Sequence, residues 1–257
     1  MISLTKAKTA FENFVQQFDT TDPKIALKIR HTYGVIDACD YLAKSMNLPD
    51  TDYNLALLIG LLHDIGRFEQ LTRFNSYDDN LLSHAQCGLE VLFDQGKIRD
   101  FINTDQYDDI IYHAIKNHST YAIDSTLSGR HLLHAQIIRD ADKLDNFRVK
   151  TEDSIPAMLD VTEEELGAES VTDAIFQCFA SHKLILKDDR RTHMDMWISY
   201  LAFIFDFNFA ASFNYVLEND YINLNIDRIP YSNPDTDMKM KKIKQIALKY
   251  CREKAGV

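Results

Sequence analysis

The sequence contains few of the residues that interrupt helices. Eight glycines and five prolines occur among 257 residues, and no proline lies between Pro49 and Pro156. More than 100 consecutive residues therefore lack the strongest helix breaker. This absence predicts an all-α protein.

Cysteine is scarce, and long apolar runs are missing. The four cysteines are widely spaced, which supports neither a disulfide framework nor a zinc knuckle: Cys39, Cys87, Cys178 and Cys251. The longest apolar run, residues 55–62 with Gly60 inside it, is far shorter than the ~20 residues of a membrane-spanning helix. The first residues also lack the apolar stretch of a signal peptide. We therefore expect a cytoplasmic protein whose cysteines are reduced.

Positive charge is in deficit. Thirty-nine acidic residues against 28 basic ones give a formal net charge of −11. Polymeric nucleic acids and anionic membranes attract proteins through the summed charge of lysines and arginines, so neither is an expected partner. A small ligand or substrate is the better expectation, and the composition does not indicate an oligomeric state.

Capping residues and apolar spacing place the helices. Ser3 caps a predicted helix, Asp22-Pro23 opens a second that runs to Met46, and residues 53–63 are apolar on all sides, which is typical of a buried central helix. A polar stretch follows at 67–82. Beyond it, helices are predicted at 83–96, 104–118, 130–148 and 235–254. Other helices are predicted to start at Thr162 and Ser170 and to lie within 190–219. Because no linker or repeat is evident, we expect a single helical domain over 1–257, with a core at about 22–150 and a C-terminal extension at 151–257.

Two histidine positions lie on the buried helices. His31 shares a helical face with Leu27 and Val35, where a lone histidine is more often a hydrogen-bonded core residue than a metal ligand. His63-Asp64 ends the most buried helix, and a buried aspartate requires a cation. A histidine that satisfies helix carbonyls beside a capping aspartate is the alternative, but it leaves His31 unexplained.

Two further histidines have suitable helical positions. His84 lies in the first turn of its helix on the side of Gly88, where the missing side chain lets another helix approach. His118 shares a face with Ile115, whereas His113 points about 140° away from it. We therefore favour His118 as a site residue and interpret His113 as a surface or supporting residue.

Carboxylates are concentrated in one further segment, IIRDADKLDNF. Three carboxylates so close together usually form a solvated face, but apolar residues surround these and favour one inward-pointing group. The three are Asp140, Asp142 and Asp145.

Taken in order, these residues resemble the H, HD, D pattern of the HD superfamily of metal-dependent phosphohydrolases. The stretches LLHDIGRF, HAQCGLEVL, AIKNHS and RDADKLDNF are similar to that family's sequence blocks, over about residues 22–150. The resemblance implies an HD-domain helical bundle with additional C-terminal helices. It also implies that one metal ion is bound by His31, His63, Asp64 and Asp142, with His84 and His118 added in the two-metal branch, where Asp64 bridges the ions.

The ligand types agree with that chemistry. Imidazole with carboxylate suits Mn, Fe, Ni, Co or Zn better than calcium. Two such ions roughly 3.5–4 Å apart can hold a bridging hydroxide as nucleophile and neutralise phosphoryl oxygens. Asp64 would then act in catalysis, with Arg67 and Lys143 as candidate phosphate contacts, although each cation can equally be a surface ion-pair partner.

The sequence departs from the family pattern at two points. Arg67 stands where many members carry lysine, although an arginine can still bind phosphate through two parallel hydrogen bonds. The adjacent histidines and the GYP signature of some cyclic-dinucleotide phosphodiesterases are missing, which argues against that activity.

Three functions remain open. The first is a phosphomonoesterase or phosphodiesterase that acts on a nucleotide or other small phosphorylated compound. The second is an HD-type di-iron oxygenase, which uses the same ligand types. The third is a nucleotide-binding regulatory module, which is disfavoured because a binding module needs no open metal site.

Overall fold

The structure is a computed structural model that describes residues 2–257, and these residues form helices joined by short connections, with no strand. The α-helices are α1 (Leu4–Val15), α2 (Pro23–Ser45), α3 (Asp50–Leu62), α4 (Ile65–Phe74), α5 (His84–Leu89), α6 (Ile98–Phe101), α7 (Asp108–Asn117), α8 (Gly129–Glu152), α9 (Ile155–Leu159), α10 (Glu163–Ala168), α11 (Asp173–Ala180), α12 (His193–Leu201), α13 (Ala210–Glu218), α14 (Tyr221–Asp227) and α15 (Pro234–Ala255). A π-helical turn follows α5 at Glu90–Asp94, and two 3-10 turns occupy Lys187–Asp189 and Ala202–Asp206. The predicted all-α fold is confirmed. Within the described part of the chain, no helix is both long enough and apolar enough to cross a membrane.

The chain divides into two compact units, Met1–Asp145 and Asn146–Val257. The division falls within α8, close to the predicted end of the core near residue 150. That the whole chain behaves as one domain stays a prediction.

In the first unit, α3 forms the centre. Residues 55–62 of this helix are all buried, as their uniformly apolar sequence predicts. Helix α2 packs against α3 at Gly60, where a Cβ atom would lie 3.0 Å from the Cys39 Sγ atom. The missing side chain at Gly60 therefore allows the two helices to lie close together.

Helices α4 and α5 cross at an even closer contact. A Cβ atom at Gly66 would lie 2.1 Å from the His84 carbonyl oxygen and 2.4 Å from the Gly88 nitrogen. Because both neighbours are backbone atoms, only glycine fits there. The crossing holds the start of α5 beside the turn that follows α3.

The predicted starts of α1, α2 and α5 are confirmed. The side chain of Ser3 accepts a hydrogen bond from the Lys6 amide, and Ser83 caps α5 in the same way. The Asp22 carboxylate accepts from two amides of the first turn of α2, and Pro23 occupies the first helical position.

Other helix boundaries were predicted wrongly. Helix α4 occupies the first half of the predicted polar stretch, because Ile65, Phe68 and Leu71 form a buried face among polar residues. Helix α7 begins at Asp108 instead of Thr104, whose hydroxyl accepts a hydrogen bond from the Gln106 amide in a turn before the helix.

The second unit contains the remaining helices, which surround buried residues such as Phe179 and Trp197. The predicted capping box of Thr162 and Glu165 opens α10, with hydrogen bonds in both directions. The cap of α11 is Thr172, not the predicted Ser170.

Candidate metal centre

Six side chains meet inside the first unit as two adjacent triads. The donor atoms of each triad lie within 4.8 Å of one another. We call His31, His63 and Asp142 the first triad, and Asp64, His84 and His118 the second triad. All six predicted ligands are thereby brought together, and only Asp142 is more than slightly exposed, with 21% of its side chain accessible.

The ends of helices position most of these side chains. His63 and Asp64 lie between α3 and α4, His84 is the first residue of α5, and His118 follows the last residue of α7. A helix end lets the chain bend, so the adjacent side chains of His63 and Asp64 can both face one point. His31 and Asp142 lie within longer helices, α2 and α8.

The Asp64 carboxylate lies between the two triads. Its Oδ2 atom is 3.7 Å from the Nε2 atoms of both His31 and His63. Its Oδ1 atom is 3.4 Å from His84 Nε2 and 3.8 Å from His118 Nε2. Each oxygen therefore faces a different pair of histidines, as a carboxylate shared by two ions would.

All four histidines are held in the same orientation. In each ring the Nδ1 atom lies 2.6–2.7 Å from an oxygen acceptor, so Nδ1 carries the hydrogen and Nε2 presents a lone pair toward the centre. The acceptors are Asp145 for His31, the Gly60 carbonyl for His63, Asp79 for His84 and the Ile115 carbonyl for His118. Metal-binding histidines are oriented in this way.

The inward-facing lone pairs call for a cation. The Nε2 atoms of His31 and His63 are buried and have no hydrogen bond of acceptable geometry among the described residues. The Nε2 atoms of His84 and His118 face each other at 2.9 Å, where two lone pairs would repel.

At neutral pH, protons do not meet this need at His63 and His84. Burial lowers the pKa of His63 to about 4, against the opposing charges of Asp64 and Asp142. Burial and the nearby Arg67 lower the pKa of His84 to about 4 as well. His31 differs: burial and Lys28 act to lower its pKa, but Asp142 and Asp145 raise it overall. The nitrogen and carboxylate donors therefore fit divalent transition-metal ions.

Lys28 is a functional residue that sequence reasoning missed. Its Nζ atom lies 2.7 Å from Asp64 Oδ2. Burial acts to raise the pKa of Asp64, but Lys28 and His63 hold it well below the usual range. A signal was present, since Lys28 precedes His31 by three residues on α2 and so lies on the same helical face.

Arg67 lies at the opposite oxygen of the same carboxylate. Its Nε atom is 3.6 Å from Asp64 Oδ1, and its Nη1 atom donates to Asp79 Oδ1 at 3.0 Å and to the Tyr77 carbonyl at 3.1 Å. Asp79 in turn accepts from His84 Nδ1, so Arg67 borders the second triad and supports one of its histidines.

Lys143, the other predicted phosphate contact, has a different position. The Lys143 side chain is buried and donates to the Arg139 carbonyl at 3.3 Å. Arg139 is buried too, and its guanidinium donates to the carbonyls of Asn117, Thr120 and Tyr121. Arg139 therefore holds the segment around His118, which is a structural role that its sequence context did not indicate.

His113 lies away from both triads. Its Nε2 atom is 3.6 Å from Asp109 Oδ1 on its own helix, and its ring contacts His131 at 5.7 Å between centroids. The structure places His118, and not His113, beside Asp64, which agrees with the argument from helical faces.

Fold and site together define a class: an all-α unit that carries a candidate centre for divalent metal ions. Residues 29–146 match the family model of the HD domain, a stretch that includes all six candidate ligands, so this part of the chain is an HD domain. HD domains bind divalent metals and are mostly metal-dependent hydrolases. Searches of curated proteins and of solved structures returned no match.

Proposed function

We propose that this protein is a metal-dependent phosphohydrolase, a phosphomonoesterase or phosphodiesterase, that acts on a nucleotide or another small phosphorylated compound. The observation that carries the proposal is the Asp64 carboxylate, which faces two histidine pairs with its two oxygens and has a lysine and an arginine beside it. Shared carboxylates of this kind belong to two-metal sites that cleave phosphate esters. A cytoplasmic location and a small substrate are further predictions of the composition.

Two divalent ions would be held by the first and second triads, with Asp64 shared. Bound ions would supply Lewis acidity, which lowers the pKa of water and neutralises phosphoryl oxygens. Mn, Fe, Ni, Co and Zn all suit these donors.

The chain's own residues would do the remaining work. The oxygen acceptors on the four Nδ1 atoms fix each imidazole, so the donor atoms need no rearrangement. Arg67 borders Asp64 and would bind a phosphoryl oxygen through its guanidinium. Lys143 stays a second candidate for phosphate binding, although its ammonium now donates to a carbonyl of its own helix. The deep burial of the four histidines excludes bulk water from the centre.

The test combines two measurements on protein purified without oxygen. Metal analysis gives the identity and number of bound ions, and a phosphate-release screen covers nucleotides, sugar phosphates and a chromogenic phosphodiester. We expect about two divalent ions per chain and release of phosphate, or of the alcohol of the diester, from at least one compound. Two irons with no hydrolysis of any compound would contradict the proposal and favour a di-iron oxygenase.

A further inference from the structure

Lys28 is one of the more exposed residues around the centre. The four histidine side chains are at most 3% exposed and Asp64 is 4% exposed. Lys28 is 15% exposed, Arg67 13% and Asp142 21%. A ligand that enters from solvent therefore meets these three residues before it meets the histidines.

Lys28 and Arg67 flank one aromatic ring as well as one carboxylate. Lys28 contacts Asp64 Oδ2 at 2.7 Å and Arg67 approaches Oδ1 at 3.6 Å. The Lys28 Nζ atom is 5.5 Å from the centre of the Tyr77 ring, and the Arg67 Cζ atom is 5.9 Å from it. The Tyr77 hydroxyl donates to the Lys24 carbonyl at 3.1 Å, which fixes the ring against α2. A lysine and an arginine are thus held beside the same aromatic ring and the same carboxylate.

Lys28 would lose its role as the partner of Asp64 if metal ions were bound by that carboxylate. A divalent ion on Oδ2 would neutralise the carboxylate more strongly than an ammonium does, because its charge is twice as large. A flexible lysine with three donor hydrogens could then turn toward an anion, since its side chain is 15% exposed.

We propose that Lys28 is a substrate-binding residue, whose ammonium binds the phosphoryl group from the Oδ2 side of Asp64 while Arg67 binds it from the Oδ1 side. This assignment rests on the proposed phosphohydrolase function, and it adds a residue that the HD motif does not contain.

The experiment measures binding of inorganic phosphate to the metal-loaded protein by isothermal titration calorimetry, together with metal content. Lys28→Met keeps the length of the side chain and removes its charge, and Lys28→Arg keeps the charge. The matched control is Lys44→Met, because Lys44 lies on the same helix and its ammonium is also 2.7 Å from an aspartate, Asp40, away from the centre.

We expect Lys28→Met to keep its metal ions and to bind phosphate about 10- to 100-fold more weakly, the usual effect of losing one hydrogen bond to a charged group. Lys28→Arg should bind phosphate within a few-fold of the wild type, and Lys44→Met should match it. With an identified substrate, the Lys28→Met variant should show an increase in KM that tracks the loss of phosphate affinity.

Three results would overturn the assignment. The first is an unchanged phosphate affinity in Lys28→Met. The second is loss of metal from that variant, which would mean that Lys28 supports Asp64. The third is a wild-type protein that does not bind phosphate. The two proposals fail separately. If the wild type binds phosphate in a Lys28-dependent way and hydrolyses no compound, the phosphohydrolase proposal is contradicted and the lysine assignment is supported. If the wild type is a hydrolase and its Lys28→Met variant binds phosphate normally, the phosphohydrolase proposal is supported and the lysine assignment is contradicted.

Discussion

Each oxygen of the Asp64 carboxylate faces a different pair of histidines, so no neutral side chain can replace both contacts. Asp64→Ala should therefore abolish metal binding and activity while the helical content stays close to that of the wild type. Metal analysis and circular dichroism measure the two effects. Asp40→Ala is the matched control, because Asp40 also accepts a 2.7 Å hydrogen bond from a lysine but lies outside both triads. Wild-type metal content in Asp64→Ala would refute the assignment.

His113 and His118, five residues apart, should behave differently. His118→Ala should lower the occupancy of one metal ion, because the His118 Nε2 atom lies in the second triad. His113→Ala should retain both ions, since its ring contacts Asp109 and His131 instead. Metal content per chain decides the comparison. Equal and complete loss in both variants would show that the position of His113 has been misjudged.

Removing a phosphate contact should separate turnover from metal binding. Arg67→Ala and Lys143→Ala should keep their metal ions but lose turnover by a factor of about 10² to 10³, the usual effect of one strong transition-state donor. Arg67→Lys should recover only part of the activity, because an ammonium cannot form two parallel hydrogen bonds to phosphate. Steady-state kinetics and metal analysis are the measurements. If both alanine variants keep the wild-type kcat and KM, these cations are ordinary structural partners.

Some residues of the site could be identified from the sequence and others could not. The candidate ligands could be chosen from helical faces, because each face is set by local spacing. The acceptors that orient the imidazoles could not all be found this way. Asp145 lies 114 residues after His31, and nothing in the local pattern of either residue indicates that their side chains meet. Lys28 was missed for a different reason, since exposed lysines are common on helices and its carboxylate partner belongs to another helix.

At the scale of elements, the crossing of α4 and α5 decides whether the second triad can form. Gly66→Ala would place a Cβ atom 2.1 Å from the His84 carbonyl oxygen, so the helices must separate. We expect this variant to lose stability by about 1–3 kcal/mol or more, as overpacked cores do, and to bind less metal at the second triad. Urea unfolding and metal analysis measure both.

Gly88 provides the control for this crossing. A Cβ atom at Gly88 would lie 3.4 Å from its nearest neighbours, which is ordinary contact. Gly88→Ala should therefore have a small effect, and the higher helix propensity of alanine offsets part of it. Equal destabilisation by the two substitutions would mean that the close approach at Gly66 is not what constrains the helices.

The helices themselves were predictable to different degrees. Those with a clear cap and a uniform apolar pattern, such as α2 and α3, were placed to within a few residues of their observed ends. Helix α4 was missed because its few apolar residues are interspersed with charged and polar ones, which made the segment look like a polar loop. Tertiary packing of three apolar side chains stabilises this helix, and a single sequence does not show that packing.

At the scale of the whole molecule, metal should add stability as any ligand of the native state does. At a free metal concentration 100 times the Kd, the gain is about 2.7 kcal/mol. For a chain of this size, that gain corresponds to a rise in Tm on the order of 5–10 °C. Differential scanning fluorimetry with and without a chelator measures it. Asp64→Ala should show no such shift. A wild-type Tm that is the same with and without the chelator would argue against a metal centre.

The all-α fold and the HD domain followed from the sequence because composition and motif order are properties of the chain alone. The division into units at Asp145 lies close to the core boundary that the family resemblance placed near 150, but composition alone does not mark it, since α8 runs through it with no proline and with no glycine after its first residue. The helices after it carry no motif that indicates a substrate, so their contribution to function was not readable from the residues.

The pairing of His31 with Asp145 also sets a delay during synthesis. At ordinary translation rates, the 114 residues between them take about 6–23 seconds to make. Over that interval the nascent chain holds its first histidine without the acceptor that orients it, and the last candidate ligand, Asp142, appears only three residues before that acceptor. The centre is therefore completed late, after nearly the whole first unit has left the peptidyl-transferase site.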